Sequence, residues 1–146
     1  MSGTFEGVST LQFTPDNKYA FAFSGKVTQS ATGTDNLLVF ETGSEYLVSN
    51  IQVCFGGVRI NDDFQANILL NDITVAEETY NNNYEMASPQ YFKMIIPPFT
   101  TVKIQVEKQT GTSTLESFAF LRAKVKGAIE QVDLEAITDG SKWADQ

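Results

Sequence analysis

TTVKIQVE, residues 100–107, sets Val102, Ile104 and Val106 at alternate positions with Lys103, Gln105 and Glu107 between them. Successive side chains of a strand point to opposite faces, so this stretch reads as a strand with one core face and one solvent face. Immediately upstream, YFKMII at 91–96 is a second β-prone run, cut off by Pro97-Pro98, which cannot donate to a ladder. Downstream, QTGTS at 109–113 is turn chemistry leading into FAFLRAKV at 118–125. Near the other end, Thr14-Pro15-Asp16-Asn17 is again a turn, after which Tyr19, Phe21 and Phe23 alternate with Ala20, Ala22 and Ser24 up to Val27. Taking the bulky side of that strand as its inner side, the expected core holds Phe21, Phe23, Ile51, Val53, Val102, Ile104 and Leu121.

Between these runs the same grammar repeats. Residues 29–36 are a polar loop, Leu37-Leu38-Val39-Phe40 is an apolar run, and Thr42-Gly43-Ser44 suggests a tight turn back into a strand over 46–55, a hairpin. That strand places Leu47, Ile51, Val53 and Phe55 on one face and Asn50 and Gln52 on the other, before Gly56-Gly57 ends or bulges it. Asn71-Asp72 separates residues 64–70 from 73–75 as a two-residue turn would, giving a second hairpin or a bulged strand. Residues 77–89, with Asn81-Asn82-Asn83 inside them, show no periodicity and read as a long exposed loop. About eight short strands with turn signals roughly every ten residues, and no sustained helical period, define an all-β sandwich of the jelly-roll type. The expected organisation is an extended N-terminal arm over 1–14, an eight-stranded antiparallel jelly roll over 15–127 and an acidic C-terminal extension over 128–146. The extension carries Ile129, Val132, Leu134 and Ile137 among acids, a pattern compatible with a short amphipathic helix or an extended strap.

At 146 residues, with 42% hydrophobic and 12% aromatic content, the chain has enough apolar material for one core without disulfide or metal staples. Its net charge of -8 repels phosphate backbones, so nucleic acid is not an expected partner. Half of that charge lies in 128–146, where Glu130, Asp133, Glu135, Asp139 and Asp145 oppose Lys142. One cysteine, no glycosylation sequon, no basic and apolar leader and no stretch near the roughly 18 apolar residues of a span lead to the expectation of a soluble, cytosolically made protein without membrane insertion.

The chain has no histidine, which removes the commonest general base, the commonest metal ligand and every Ser-His or Cys-His pair. Cys54 sits between Val53 and Phe55 without a neighbouring cation and reads as a packing residue. Asp62, Asp63 and Asp72, with Asn61 and Asn71, are the best set of hard oxygen donors, yet they lack the spacing of a calcium loop and read as turn formers. Glu77 and Glu78 are adjacent, so in a strand they point to opposite faces and cannot flank one bond. Gly56-Gly57 lacks the rest of a phosphate loop. Tyr80, Tyr84 and Tyr91 are expected to be exposed, and suit sugar stacking or protein contact. Arg122, Lys124 and Lys126 share one face of a strand, an edge guard or an intersubunit charge row. No catalytic residue, cofactor or metal is expected, and the chain is not expected to be an enzyme.

TPDNKYAFAFSGKV (14–27), ETGSEYLV (41–48), ILLNDITV (68–75), IIPPFTTVKIQVE (95–107) and FAFLRAKVKG (118–127) together resemble the small single-jelly-roll structural proteins of large double-stranded DNA viruses, including the vertex (penton) and minor capsid proteins of algal and related marine viruses. The resemblance implies a non-enzymatic virion component, made in the host cytoplasm, that packs against copies of itself and against neighbouring capsid proteins. It also implies a cyclic homo-oligomer, with five the number that a vertex suggests. The candidate assembly contacts are Phe5, Leu11 and Phe13 in the arm, Arg122, Lys124 and Lys126 in the last strand, and Ile137 and Trp143 in the extension, since apolar residues in irregular ends gain burial only against something else. A carbohydrate- or receptor-binding β-sandwich is the competing expectation; it would present an aromatic platform and work as a monomer.

Overall fold

The computed structural model describes residues 11–56, 63–80, 90–111 and 114–127. They form ten strands: β1 (Gln12–Phe13), β2 (Tyr19–Phe23), β3 (Val27–Gln29), β4 (Gly33–Glu41), β5 (Tyr46–Gly56), β6 (Asp63–Leu70), β7 (Ile73–Tyr80), β8 (Gln90–Ile96), β9 (Thr101–Thr110) and β10 (Leu115–Lys126). There is no helix among the described residues. One antiparallel sheet runs β1-β2-β10-β5-β8, with β3 also paired to β10, and the other runs β4-β9-β6-β7.

The pairing is nested. β2 lies on β10, β4 on β9, β5 on β8 and β6 on β7, so the chain behaves as one long hairpin folded over into two sheets. That order is the jelly roll, its eight principal strands supplemented by the short β1 and β3. The hairpin tip is the β6–β7 turn, where Asn71 (φ 51°) and Asp72 (φ 67°) take the two left-handed positions of a tight turn whose twist suits the flanking strands.

The core lies between the sheets. Leu38, Phe40, Phe64, Ile68, Val102, Ile104 and Val106 come from one side and Leu47, Ile51, Val53, Ile96, Leu115 and Leu121 from the other, all buried. Phe64 stacks on Tyr80 (centroids 4.8 Å, 15° between planes) and Phe55 tilts against both at 4.7 and 5.1 Å. The turns at one end are clasped together. The Thr42 hydroxyl donates to the Pro97 carbonyl (2.8 Å), the Thr100 N–H donates to Thr42 Oγ1 (2.9 Å), and the Phe99 N–H donates to the Gly43 carbonyl (2.8 Å). Phe99 is held there at φ 54°, exposed to solvent.

Several expectations are corrected. Phe21 is only half-buried and Phe23 is 59% exposed, because β2 turns Ala20 and Ala22 inward. Volume comes instead from the facing sheet, where a bulge between Asn36 and Leu38 buries Leu37 and Leu38 together. β4 and β5 are not a hairpin: β4 pairs with β9, and β5 with β10 and β8, so the Thr42-Gly43-Ser44 turn carries the chain from one sheet to the other. Residues 77–80 belong to β7 instead of a loop, and Tyr80 is buried. β10 sits between β2 and β5, so its cations guard no edge. Tyr84 and the bulk of the expected loop lie outside the described residues, as do residues 1–10 and 128–146.

Candidate functional site: the outer face of the β2-β10-β5-β8 sheet

On the solvent side of the larger sheet, the registers of four strands build a grid of side chains. Its first row is Tyr19, Lys124, Val48 and Ile95; its second is Phe21, Arg122, Asn50 and Lys93; its third is Phe23, Phe120, Gln52 and Tyr91. Phe118 and Cys54 continue it at one end and Lys126 and Tyr46 at the other. These residues sit outward because the alternate positions, Ala20, Ala22, Ser49, Ile51, Ala119, Leu121 and Ala123, are buried inward. Most of the grid lines a broad depression of about 1540 Å³.

Two kinds of group share the face. Tyr19 (50% exposed), Phe23 (59%) and Tyr91 (56%) are large rings left in water, with Phe21 set 5.7 Å from Phe23 and Phe118 6.1 Å from Phe120. Among them stand the cations Lys93, Arg122, Lys124 and Lys126, and no Asp or Glu lines the depression. Neither ion pair found among the described residues, Lys26 with Glu116 and Lys103 with Asp72, involves any of these four. A chain of net charge -8 therefore concentrates four of its ten basic residues on one acid-free surface. The field there is opposite in sign to that of the whole molecule.

Two polar groups complete the face. Asn50 Oδ1, between Arg122 and Lys93 in the register, is shielded from water and accepts no hydrogen bond. An acceptor left in that state invites a donor from a partner. Cys54 is half-buried opposite Phe118, and burial pushes its thiol upward, against a smaller lowering by the Gln52 side chain. It is accordingly a poor nucleophile at neutral pH.

The expected contact residues divide among different places. Arg122, Lys124 and Lys126 are together on this face. Leu11 instead packs against the core, and Phe13 pairs in register with the inward-facing Ala20, so neither joins the cationic row. Phe5, Ile137 and Trp143 lie outside the described residues. Tyr19, Phe21, Phe23, Phe118 and Phe120 were missed as surface groups. A signal was present: Phe118 and Phe120 have the same parity as Arg122 and Lys124, which had to face water, and so go with them.

Among the described residues no group of three potential metal ligands converges. Asp63 and Asp72 stand at the start of β6 and just past its end, separated by roughly 25 Å of strand, and cannot share an ion. Asp72 is engaged by Lys103 at 2.7 Å. What the face can do is bind: rings supply apolar area, cations attract negative charge, and Asn50 and Gln52 add hydrogen-bonding specificity.

No known sequence family matches the chain, and no curated protein matches it in sequence. Among solved structures, the VP2 subviral particle of infectious bursal disease virus is similar at 12% identity over 84% of this chain (TM-score 0.47). The insecticidal delta-endotoxin Cry8Ea1 of Bacillus thuringiensis is similar at 16% identity over 66% (TM-score 0.43), and a CBM4 structure at 18% over 87% (TM-score 0.34). The matches span 39% of the VP2 chain, 19% of the endotoxin and 83% of the CBM4 chain. The jelly-roll assignment rests on the strand order and registers given above.

Proposed function

We propose that this chain is a non-enzymatic structural subunit of a viral capsid, at a vertex (penton) or minor position, that assembles with copies of itself and with neighbouring capsid proteins in the virion. The observation that carries the proposal is the acid-free outer face, where exposed rings and four cations share one side of a sheet. Isolated exposed apolar residues need no explanation, but a contiguous patch of rings within a charged frame marks a protein contact. The resemblance of the strand segments between residues 14 and 127 to vertex proteins supplies the setting, and a heterologous patch repeated by rotation supplies the ring, with five subunits as the proposed number. The absence of histidine, the commonest general base, supports the non-enzymatic reading.

The test is particle mass in solution across a concentration series, for the native chain and for Phe23→Ser with Tyr91→Ser. A closed oligomer that the double variant loses supports the assignment; a chain that stays monomeric throughout rejects it. One observation favours a second function, carbohydrate or receptor binding by a monomer: the rings of Tyr19 and Phe23 line one depression with Asn50, Gln52 and Arg122, and Tyr91 stands beside Gln52 in the register, the combination of stacking surface and hydrogen-bonding groups that sugars require. A glycan array separates the two, since only this second function yields saturable binding by monomers that Tyr91→Ser abolishes.

A further inference from the structure

We infer that the first occupant of the outer face is the chain's own residues 128–146, docked in the same molecule. This names a ligand for the face and rests on its assignment as an interface. Charge is the first reason. The face presents Lys93, Arg122, Lys124 and Lys126 without an acid, and residues 128–146 carry five acids against one base. Composition is the second. In that segment Ile129, Val132, Leu134, Ile137 and Trp143 are interspersed with the acids, as rings are interspersed with cations on the face.

Dimensions also decide. From Phe118 to Lys126 the outward side of β10 runs about 27 Å, and the four strands span about 14 Å across, so the footprint of the face is on the order of 400 Å². A footprint of that length and width matches one extended segment of about eight residues laid along β10. Residues 128–146 exceed that length.

Connection selects the copy. β10 ends at Lys126, at the cationic end of the face, and Gly127 follows with no other atom within 4 Å of where a Cβ would stand, so the backbone can reverse there. A segment tethered at the margin of its site experiences an effective concentration of about millimolar, above that of a second copy in dilute solution. The same-molecule contact therefore forms first, and a neighbouring subunit that uses this face must displace it.

The sequence contains its own probe, because Trp143 is the only tryptophan. In the full chain, acrylamide should quench Trp143 several-fold less than in Arg122→Glu with Lys124→Glu, and adding Glu130→Lys with Asp133→Lys to that variant should restore the protection. Protection should also be independent of protein concentration. The inference is overturned if Trp143 is as accessible in the native chain as in the charge-reversed one, if the charge swap restores nothing, or if protection disappears on dilution, which would assign the segment to a second copy. A third variant, Glu130→Gln with Asp133→Asn and Glu135→Gln, separates the two proposals. Trp143 released without any gain in self-association would sink the interface assignment and leave the docking intact. A native chain that oligomerises with Trp143 already exposed would do the reverse.

Discussion

Truncating two phenylalanines that look alike in sequence should have opposite consequences. Phe64 is fully buried, stacked on Tyr80 and tilted against Phe55, whereas Phe23 is 59% exposed on the outer face. Phe64→Ala removes the ring and leaves a cavity walled by two other rings, a loss of about 3–5 kcal/mol. That is a large part of the roughly 5–15 kcal/mol that holds a domain folded. With a urea dependence of about 2 kcal/mol/M, the unfolding midpoint should fall by roughly 1.5–2.5 M. Phe23→Ala loses only the two-fifths of its surface that is covered, about 1 kcal/mol or less, and its midpoint should move by no more than about 0.5 M. The assay is equilibrium urea unfolding followed by far-ultraviolet circular dichroism, which reports strand content. If Phe23→Ala shifts the midpoint as far as Phe64→Ala, the ring of Phe23 is inside, β2 faces the other way, and the outer face described above does not exist.

Three further outcomes are expected. Phe99→Gly should raise stability by up to about 1 kcal/mol, the relief of a left-handed backbone angle less the added freedom of an unfolded glycine; calorimetry should show a melting temperature higher by about 3 °C, and a fall would mean that the Phe99 ring contributes more than its backbone costs. Cys54 should be alkylated more slowly than a free thiol, with its rate–pH profile displaced upward. Because its folded value lies above the unfolded one, the thiol's contribution to stability is complete below the unfolded pKa and lost as pH rises through the folded one, so alkaline unfolding should come later in Cys54→Ser than in the native chain. A calcium chelator should leave the melting temperature unchanged, and a marked drop would reveal a metal site and favour glycan binding.

Strand existence was legible wherever parity was strong, and strand facing was legible only where the two sides differed in polarity. Val102, Ile104 and Val106 alternate with Lys103, Gln105 and Glu107, and they are buried as expected. YAFAF has no charge on either side, so its parity defines two faces without saying which is inner, and size was the wrong arbiter. The Asn71-Asp72 turn was legible because two consecutive left-handed positions demand such residues. Thr42-Gly43-Ser44 was misread as a hairpin because a turn within one sheet and an arch between two sheets use the same local chemistry; the choice is made by β9 and β10, which lie far along the chain. The basic row was visible in sequence, but not its central position or its aromatic company, since both depend on β2, β5 and β8 arriving beside it.

β10 is the last strand described along the chain and also the one at the middle of its sheet, paired to β5 from Glu116 to Lys126 and to β2 from Phe120 to Lys124. During synthesis, therefore, β2 and β5 emerge long before the strand that joins them. Until residues 115–126 are made, each has an open edge, and the Leu47, Ile51 and Val53 side of β5 lacks its Leu121 neighbour. Open edges of this kind template pairing with other chains. Wherever several copies are synthesised close together, the order of strands along this chain makes crowding of unfinished molecules a hazard that ends only when the central strand slots in.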